Sequence, residues 1–186
     1  MIAQINNLDQ IIIFYIQTNC HTPILDKIMI LATMSGNKGA IWILTALLLL
    51  ASKKTRKIGV IMSLALIISF AAGEGILKHI IQRPRPYDVF PGVQLLVAKS
   101  TAYSFPSGHT TTSFAAFYVL SRYLRTYSCL FGLLACIISF SRLYLFMHYP
   151  TDILAGIVLG LSLGKVAIWI YENKLKKLMH LNPDHE

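Results

Sequence analysis

Apolar residues fall into five blocks, each bounded by short polar or charged stretches: Leu25 to Ser52, Ile58 to Leu77, Ser107 to Ser121, Cys129 to Phe146 and Ile153 to Tyr171. A helix needs roughly 20 mostly apolar residues to cross a hydrocarbon layer about 30 Å thick, so these blocks predict five crossing helices. The first is interrupted by Gly36 and Asn37 and is densest over Ala40 to Ala51, while the third is short and is expected to run on through Tyr123 and Leu124. Ahead of them, Ile5 to Gln17 alternates apolar and polar positions and is too short to span, the pattern of a helix lying in the interface or crossing in part. The pattern predicts an all-α integral membrane helical bundle of five to six spans, forming one domain over residues 1–186. Within it, residues 1–24 form the N-terminal segment, 25–171 the bundle and 172–186 a tail. Met1 to Gln10 has neither a positive n-region nor a small-residue cleavage site, so no removable signal peptide is expected.

Composition agrees with that class and removes others. Only 13% of the residues are charged and 55% are hydrophobic, against roughly 25% charged in soluble domains. The formal charge of +9 invites a nucleic-acid reading, but position argues otherwise. Lys53, Lys54, Arg56 and Lys57 follow the first block, Arg122 and Arg125 the third, and Lys174, Lys176 and Lys177 the fifth. Alternating spans put all of these on one side, which the positive-inside rule makes cytoplasmic. Nine of the 17 basic residues are thereby explained as orientation signals, and no nucleic acid is expected. Cys20, Cys129 and Cys136 form no CxxC pair or metal spacing and read as free thiols.

Three polar clusters fall on the opposite side. Lys78 ends the second block and is followed by Arg83-Pro84-Arg85-Pro86; Pro106-Ser107-Gly108-His109 opens the third; Ser141 to Asp152, with Arg142, His148 and Pro150, joins the fourth to the fifth. The topology came from hydropathy and the cytoplasmic charges alone, so their convergence is separate evidence. Ionisable groups at a bilayer are costly and mark function. Lys78, Arg85 and Arg142 are fixed cations of the kind a phosphate dianion needs. Ser107, as a helix N-cap, and Gly108, which admits an oxyanion to the backbone, describe an anion site at a helix start. His109 and His148 supply a nucleophile and a general acid, and Asp152 is placed to hold one imidazole nitrogen. In an ideal helix Ser141 shares a face with His148 and Arg142 is turned away by about 120°. Pro150 is expected to start the last helix, so the pairing of His148 with Asp152 crosses a turn.

These residues resemble the type 2 phosphatidic acid phosphatases, which share a site with vanadium haloperoxidases. The family pattern is Lys, six residues, Arg-Pro; then Pro-Ser-Gly-His; then Ser-Arg, five residues, His, three residues, Asp. Lys78…Arg85-Pro86, Pro106-Ser107-Gly108-His109 and Ser141-Arg142…His148…Asp152 match it throughout. The resemblance implies an all-helical bundle with its site at one membrane face and a metal-independent reaction in two steps with no cofactor. His148 would attack phosphorus, Asp152 orient it, and His109 protonate the leaving oxygen and then activate water. Lys78, Arg85, Ser107, Gly108 and Arg142 would hold the phosphate.

Other polar residues keep plainer readings. Arg83 reads equally as a second contact to phosphate or headgroup and as a solvated loop arginine. Glu74, one turn before Lys78, is taken as an ion pair neutralising that lysine rather than a gate. His79 is expected to point toward the interface, and Lys99 and Tyr103 to sit in the solvated loop. Trp42 and Trp169 read as lipid-facing anchors. Gly156, Gly160 and Gly164 read as a close packing line within the bundle. The implied function is a lipid phosphatase in the cell membrane, its site outward and its C-terminus cytoplasmic, acting on a membrane lipid phosphate. Undecaprenyl diphosphate is the favoured substrate, with phosphatidylglycerol phosphate or phosphatidic acid as alternative. A haloperoxidase is disfavoured by the apolar spans, and a non-catalytic binding or transport protein remains the distant competitor.

Overall fold

The structure, a computed structural model, describes residues 2–175, and no strand occurs among them. The helices are α1 (Ile2–Asn19), α2 (Pro23–Gly36), α3 (Ala40–Ala51), α4 (Arg56–Phe70), α5 (Lys78–Ile81), α6 (Pro86–Val89), α7 (Gly108–Tyr123), α8 (Ser128–Tyr144) and α9 (Pro150–Ile170). Four helical runs are long and apolar enough to cross a membrane: Pro23–Ala51, Arg56–Val89, Arg125–Tyr144 and Pro150–Leu175. At 16 residues α7 is shorter and packs against α4, α8 and α9, with Ser113, Ala115, Ala116, Val119 and Leu120 all buried. Of the expected tail, Lys174 lies in the last turn, whereas Lys176, Lys177 and the residues after them fall outside the described residues.

Local chemistry sets the helix ends. Thr22 caps α2, its hydroxyl accepting from the Leu25 N–H at 3.3 Å, and Pro23 occupies the first turn, where its missing N–H costs nothing. Lys38 (φ 51°) and Gly39 (φ 72°) then break α2 from α3, which accounts for the interruption expected at Gly36 and Asn37. A π-helical turn, Ala71–Leu77, joins α4 to α5. Such turns are rare and gather at functional sites. Gln82 (φ 49°) stops α5, and Pro86 and Pro150 open α6 and α9.

Two apolar clusters hold the bundle. The larger gathers Trp42, Ile61, Met62, Ala65, Ala115, Val119, Leu120 and Ile138 from α3, α4, α7 and α8. Trp42 is 1% exposed and its indole N–H donates to Ser113 Oγ at 2.9 Å, so it is a core residue and not the lipid-facing anchor its sequence position suggested. Trp169 does face outward. The smaller cluster joins Ile13, Ile16 and Met29 to Tyr87, Tyr144, Phe146 and Tyr149 at the end of the bundle where the polar residues collect. Burial of Ile13 and Ile16 is worth roughly 1.5–3 kcal/mol each, which docks α1 against α8 and α9.

The α7–α9 pair is the tightest contact. A Cβ on Gly156 would lie 3.0 Å from the Ser107 carbonyl, one on Gly160 would press into the Thr111 carbonyl, and one on Gly164 would lie 2.8 Å from Tyr118 Cβ. The three glycines form a packing line inside the bundle, as their spacing suggested.

Candidate active site

α8 ends at Tyr144, and Phe146 takes φ 58°, turning the chain back so that the N–H groups of Met147 and His148 both donate to the Arg142 carbonyl, at 3.0 and 3.2 Å. The helical-wheel expectation that Arg142 faces away from His148 therefore fails, because the chain between them is not a helix. Pro150 opens α9 and puts Asp152 in its first turn, where the Tyr149 N–H donates to Asp152 Oδ2 at 2.9 Å. His148 Nδ1 lies 3.4 Å from that same oxygen across the turn. Ser104 adds a short hydrogen bond, its hydroxyl donating to Asp152 Oδ2 at 2.5 Å, and its Oγ sits 3.4 Å from His148 Nδ1. The other ring nitrogen, Nε2, faces Arg85 Nη1 at 3.2 Å. Burial pushes the His148 imidazole down to about 3, against the opposing hydrogen bond to Asp152 and with further lowering from Arg85 and Arg142. It is neutral at neutral pH, with Nε2 carrying the lone pair.

Arg85 is fixed by carbonyls rather than by acids: Ala102 at 2.7 Å, Met147 at 3.0 Å and Tyr103 at 3.3 Å. Arg142 is buried, donates to the Thr33 hydroxyl, and leaves Nε without a partner. Lys78, also buried, pairs with Glu74 at 2.8 Å, as the spacing of four suggested. The Glu74 carboxylate also lies over Gly108, so close that a Cβ there would collide with Oε1. A carboxylate thus stands at the start of α7, where the sequence placed an anion site. Ser107 holds the N-cap position, but its side chain makes no cap bond; it accepts instead from Thr110 Oγ1 at 3.0 Å.

His109 Nε2 meets Asn37 Oδ1 at 3.0 Å, and since an amide oxygen only accepts, Nε2–H is the donor. Gly36 permits this approach, since a Cβ there would lie 2.9 Å from the His109 ring. The contacts run through the site in series: Lys78 pairs with Glu74, which lies over Gly108; His109 meets Asn37; Arg142 donates to Thr33, and its carbonyl accepts from the His148 N–H; the His148 ring faces Arg85. All eight sequence-predicted site residues are linked through these contacts, Asp152 through His148 and Ser107 through its N–H to the Asp152 carbonyl at 3.2 Å.

Four participants went unnoticed in the sequence: Asp9, Thr33, Asn37 and Ser104. Asn37 had a signal, an amide breaking an apolar run, and so had Asp9, a lone acid in an apolar stretch. Thr33 and Ser104 had none. Arg83 departs from both of its readings. It is bound by Asp9 and Asp152, each at 2.6 Å, and lies over the Tyr149 ring, 4.0 Å from its centre. No group of three or more His, Cys, Asp or Glu side chains able to hold a metal occurs among the described residues.

Residues 56–176 match the family described as the PAP2 superfamily. The chain belongs to that family. It is similar to an undecaprenyl-diphosphatase of Sulfolobus acidocaldarius, 31% identical over 147 residues, covering 78% of this chain and 70% of the relative. It is also similar to the undecaprenyl-diphosphatase BcrC of Bacillus subtilis, 30% identical over 77% of this chain and 74% of that one. Among solved structures it resembles the transmembrane PAP2 type phosphatidylglycerolphosphate phosphatase of Bacillus subtilis, with a TM-score of 0.72 and 25% identity over 92% of this chain and 88% of that one. As a PAP2 protein the chain is a phosphatase, a hydrolase of phosphate esters, and its apolar helices make it a membrane protein.

Proposed function

We propose that this PAP2 phosphatase dephosphorylates a membrane lipid through a phosphohistidine, most favourably undecaprenyl diphosphate to undecaprenyl phosphate. The observation that carries the reaction is the gathering of three cations at a neutral His148: Arg85 faces its Nε2 at 3.2 Å, Arg142 acts on the same ring, and Lys78 interacts with both arginines. Among the described residues Glu74 is the one carboxylate ion-paired with any of these three cations. A phosphate dianion supplies the charge that this arrangement lacks.

In the first step His148 Nε2 attacks phosphorus, a P–N bond forms, and the P–O bond to the leaving phosphate breaks. Arg85 releases Nε2 and moves its hydrogen bond to a phosphoryl oxygen. His109, protonated once the substrate's negative charge enters the site, gives that proton to the departing oxygen. In the second step His109 takes a proton from water, whose oxygen attacks phosphorus and breaks the P–N bond, releasing inorganic phosphate. Asp152 steadies the charge on the imidazole ring in both steps. Donors preorganised in this way are typically worth about 3–4 kcal/mol each. No step needs a metal ion or cofactor.

The relatives named undecaprenyl-diphosphatase favour the isoprenyl substrate. Similarity to a phosphatidylglycerolphosphate phosphatase supports that phospholipid as the second reading. By the charge pattern of the loops, the bundle has five to six spans, with the site at the outer face and the C-terminus in the cytoplasm. The test is phosphate release by purified protein, in chelator, over a panel of isoprenyl and glycerol lipid phosphates. The isoprenyl diphosphate should give the highest kcat/KM and His148→Ala none. Release by His148→Ala, or strict dependence on added divalent ion, refutes the mechanism; a glycerol lipid ranked first refutes the substrate.

A further inference from the structure

Asp9 sits in the middle of α1, 1% exposed, outside the residues that match the family. A lone carboxylate buried among apolar side chains is expensive unless paired, and here both oxygens are engaged. Oδ2 meets Arg83 Nη2 at 2.6 Å and accepts from the Thr151 hydroxyl; Oδ1 accepts from the Thr151 backbone N–H at 3.0 Å. Thr151 is in the first turn of α9, whose N–H groups have no partner within their own helix. Asp9 therefore caps α9 from a different helix, one residue before Asp152.

The second link runs through the guanidinium. Arg83 Nη1 donates to Asp152 Oδ1 at 2.6 Å and to Thr151 Oγ1 at 2.7 Å. Asp152 Oδ2 takes Ser104 and the Tyr149 N–H and faces His148. One arginine thus lies between two buried carboxylates. Were Asp152 its sole acid, the arginine would neutralise the charge that the imidazole needs when it becomes positive. With Asp9 present, the group of two acids and one base keeps a net negative charge beside His148.

We infer that Asp9 is a positioning residue for catalysis, holding Arg83 and the first turn of α9 so that Asp152 stays both aligned with His148 and negatively charged. α1 is then part of the catalytic apparatus and not merely an outer helix. The inference rests on the reading of His148 as nucleophile. The phosphate-holding residues Lys78, Arg85 and Arg142 do not touch Asp9, so its loss should act on turnover and spare substrate binding.

The experiment compares full-length wild type, Asp9→Asn, Asp9→Glu, Arg83→Gln and His148→Ala in detergent, with farnesyl diphosphate as substrate. Rates are normalised to the folded fraction seen in thermal unfolding. Asp9→Asn should lose at least about 10-fold in kcat with KM within about 3-fold, because outer-shell partners typically carry 10–100-fold effects. Asp9→Glu, which restores the charge, should regain most of that loss, and Arg83→Gln should reproduce it. Asp9→Asn within 2-fold of wild type, equal losses in Asp9→Asn and Asp9→Glu, or a parallel rise in KM each overturn the inference. If Asp9→Asn does not fold, wild-type kcat in Arg83→Gln overturns it and a kcat-only loss there supports it. Turnover by His148→Ala would instead bring down the nucleophile assignment, and is read separately.

Discussion

Arg142→Met should move activity and stability in opposite directions. Arg142 is 5% exposed, bonds one neutral hydroxyl on Thr33, and has an unpartnered Nε; no carboxylate pairs with it among the described residues. Without phosphate it is a buried charge held at a loss. Replacing such ions by apolar side chains of similar volume commonly gains about 1–4 kcal/mol. Thr33 loses a hydrogen-bond partner in exchange, a cost of about 0.5–1.5 kcal/mol. The first effect is the larger, and at about 2–4 °C per kcal/mol for a chain of this size the unfolding midpoint of the anion-free protein should rise. Turnover should fall by about 10²–10³, the worth of one donor to the reacting phosphoryl group. Thermal unfolding in detergent, with and without vanadate, reads both effects. Vanadate at 100 times its Kd stabilises wild type by about 2.7 kcal/mol, and the variant should show a much smaller shift. A variant with a lower midpoint and wild-type kcat would refute the placement of Arg142 as a waiting phosphate ligand.

Three other outcomes follow from the geometry. Glu74→Gln leaves Lys78 unpaired in the empty site and removes repulsion against an incoming anion. Inhibition by inorganic phosphate should therefore tighten by roughly 5-fold, from about 1 kcal/mol of charge interaction, measured as a competitive inhibition constant. Trp42→Phe removes the indole bond to Ser113 and leaves a void, so it should cost about 1–3 kcal/mol, read as a lowered unfolding midpoint. His148, held at about 3 in the fold against its ordinary 6.5, takes up its proton more readily when unfolded. Its contribution to stability is complete above pH 6.5 and is lost as pH falls toward 3. His148→Gln should flatten the dependence of the midpoint on pH across that window.

Most of the ionisable residues that gather at the candidate site were legible in the sequence. Lys78, Arg85, Arg142, His109 and His148 are polar groups set against apolar runs, and the contrast makes them visible. What it concealed was support. Asn37 meets His109 where Lys38 and Gly39 break α2 from α3 with positive φ, a backbone event that hydropathy does not register, while Thr33 reaches Arg142 from within α2. The ideal-helix expectation that turned Arg142 away from His148 failed for a related reason: the wheel assumed a helix through Phe146, where the chain reverses. Trp42 was misjudged because an indole in an apolar run reads alike whether it meets lipid or Ser113. Asp9 was visible as an oddity, but its partners at 83 and 151 lie too far along the chain for any local pattern to name them.

A side chain on Gly156 would meet the carbonyl of Ser107, and Ser107 in turn donates its N–H to the Asp152 carbonyl. The gauge between the start of α7 and the turn that carries His148 is therefore machined by the absence of a methyl group as well as by that hydrogen bond. A side chain added at 164 wedges the far end of the two rods against Tyr118, whereas one at 156 pushes apart the two segments that meet at the candidate site. Tolerance to substitution along this single face should grade from kinetic to purely mechanical over two helical turns.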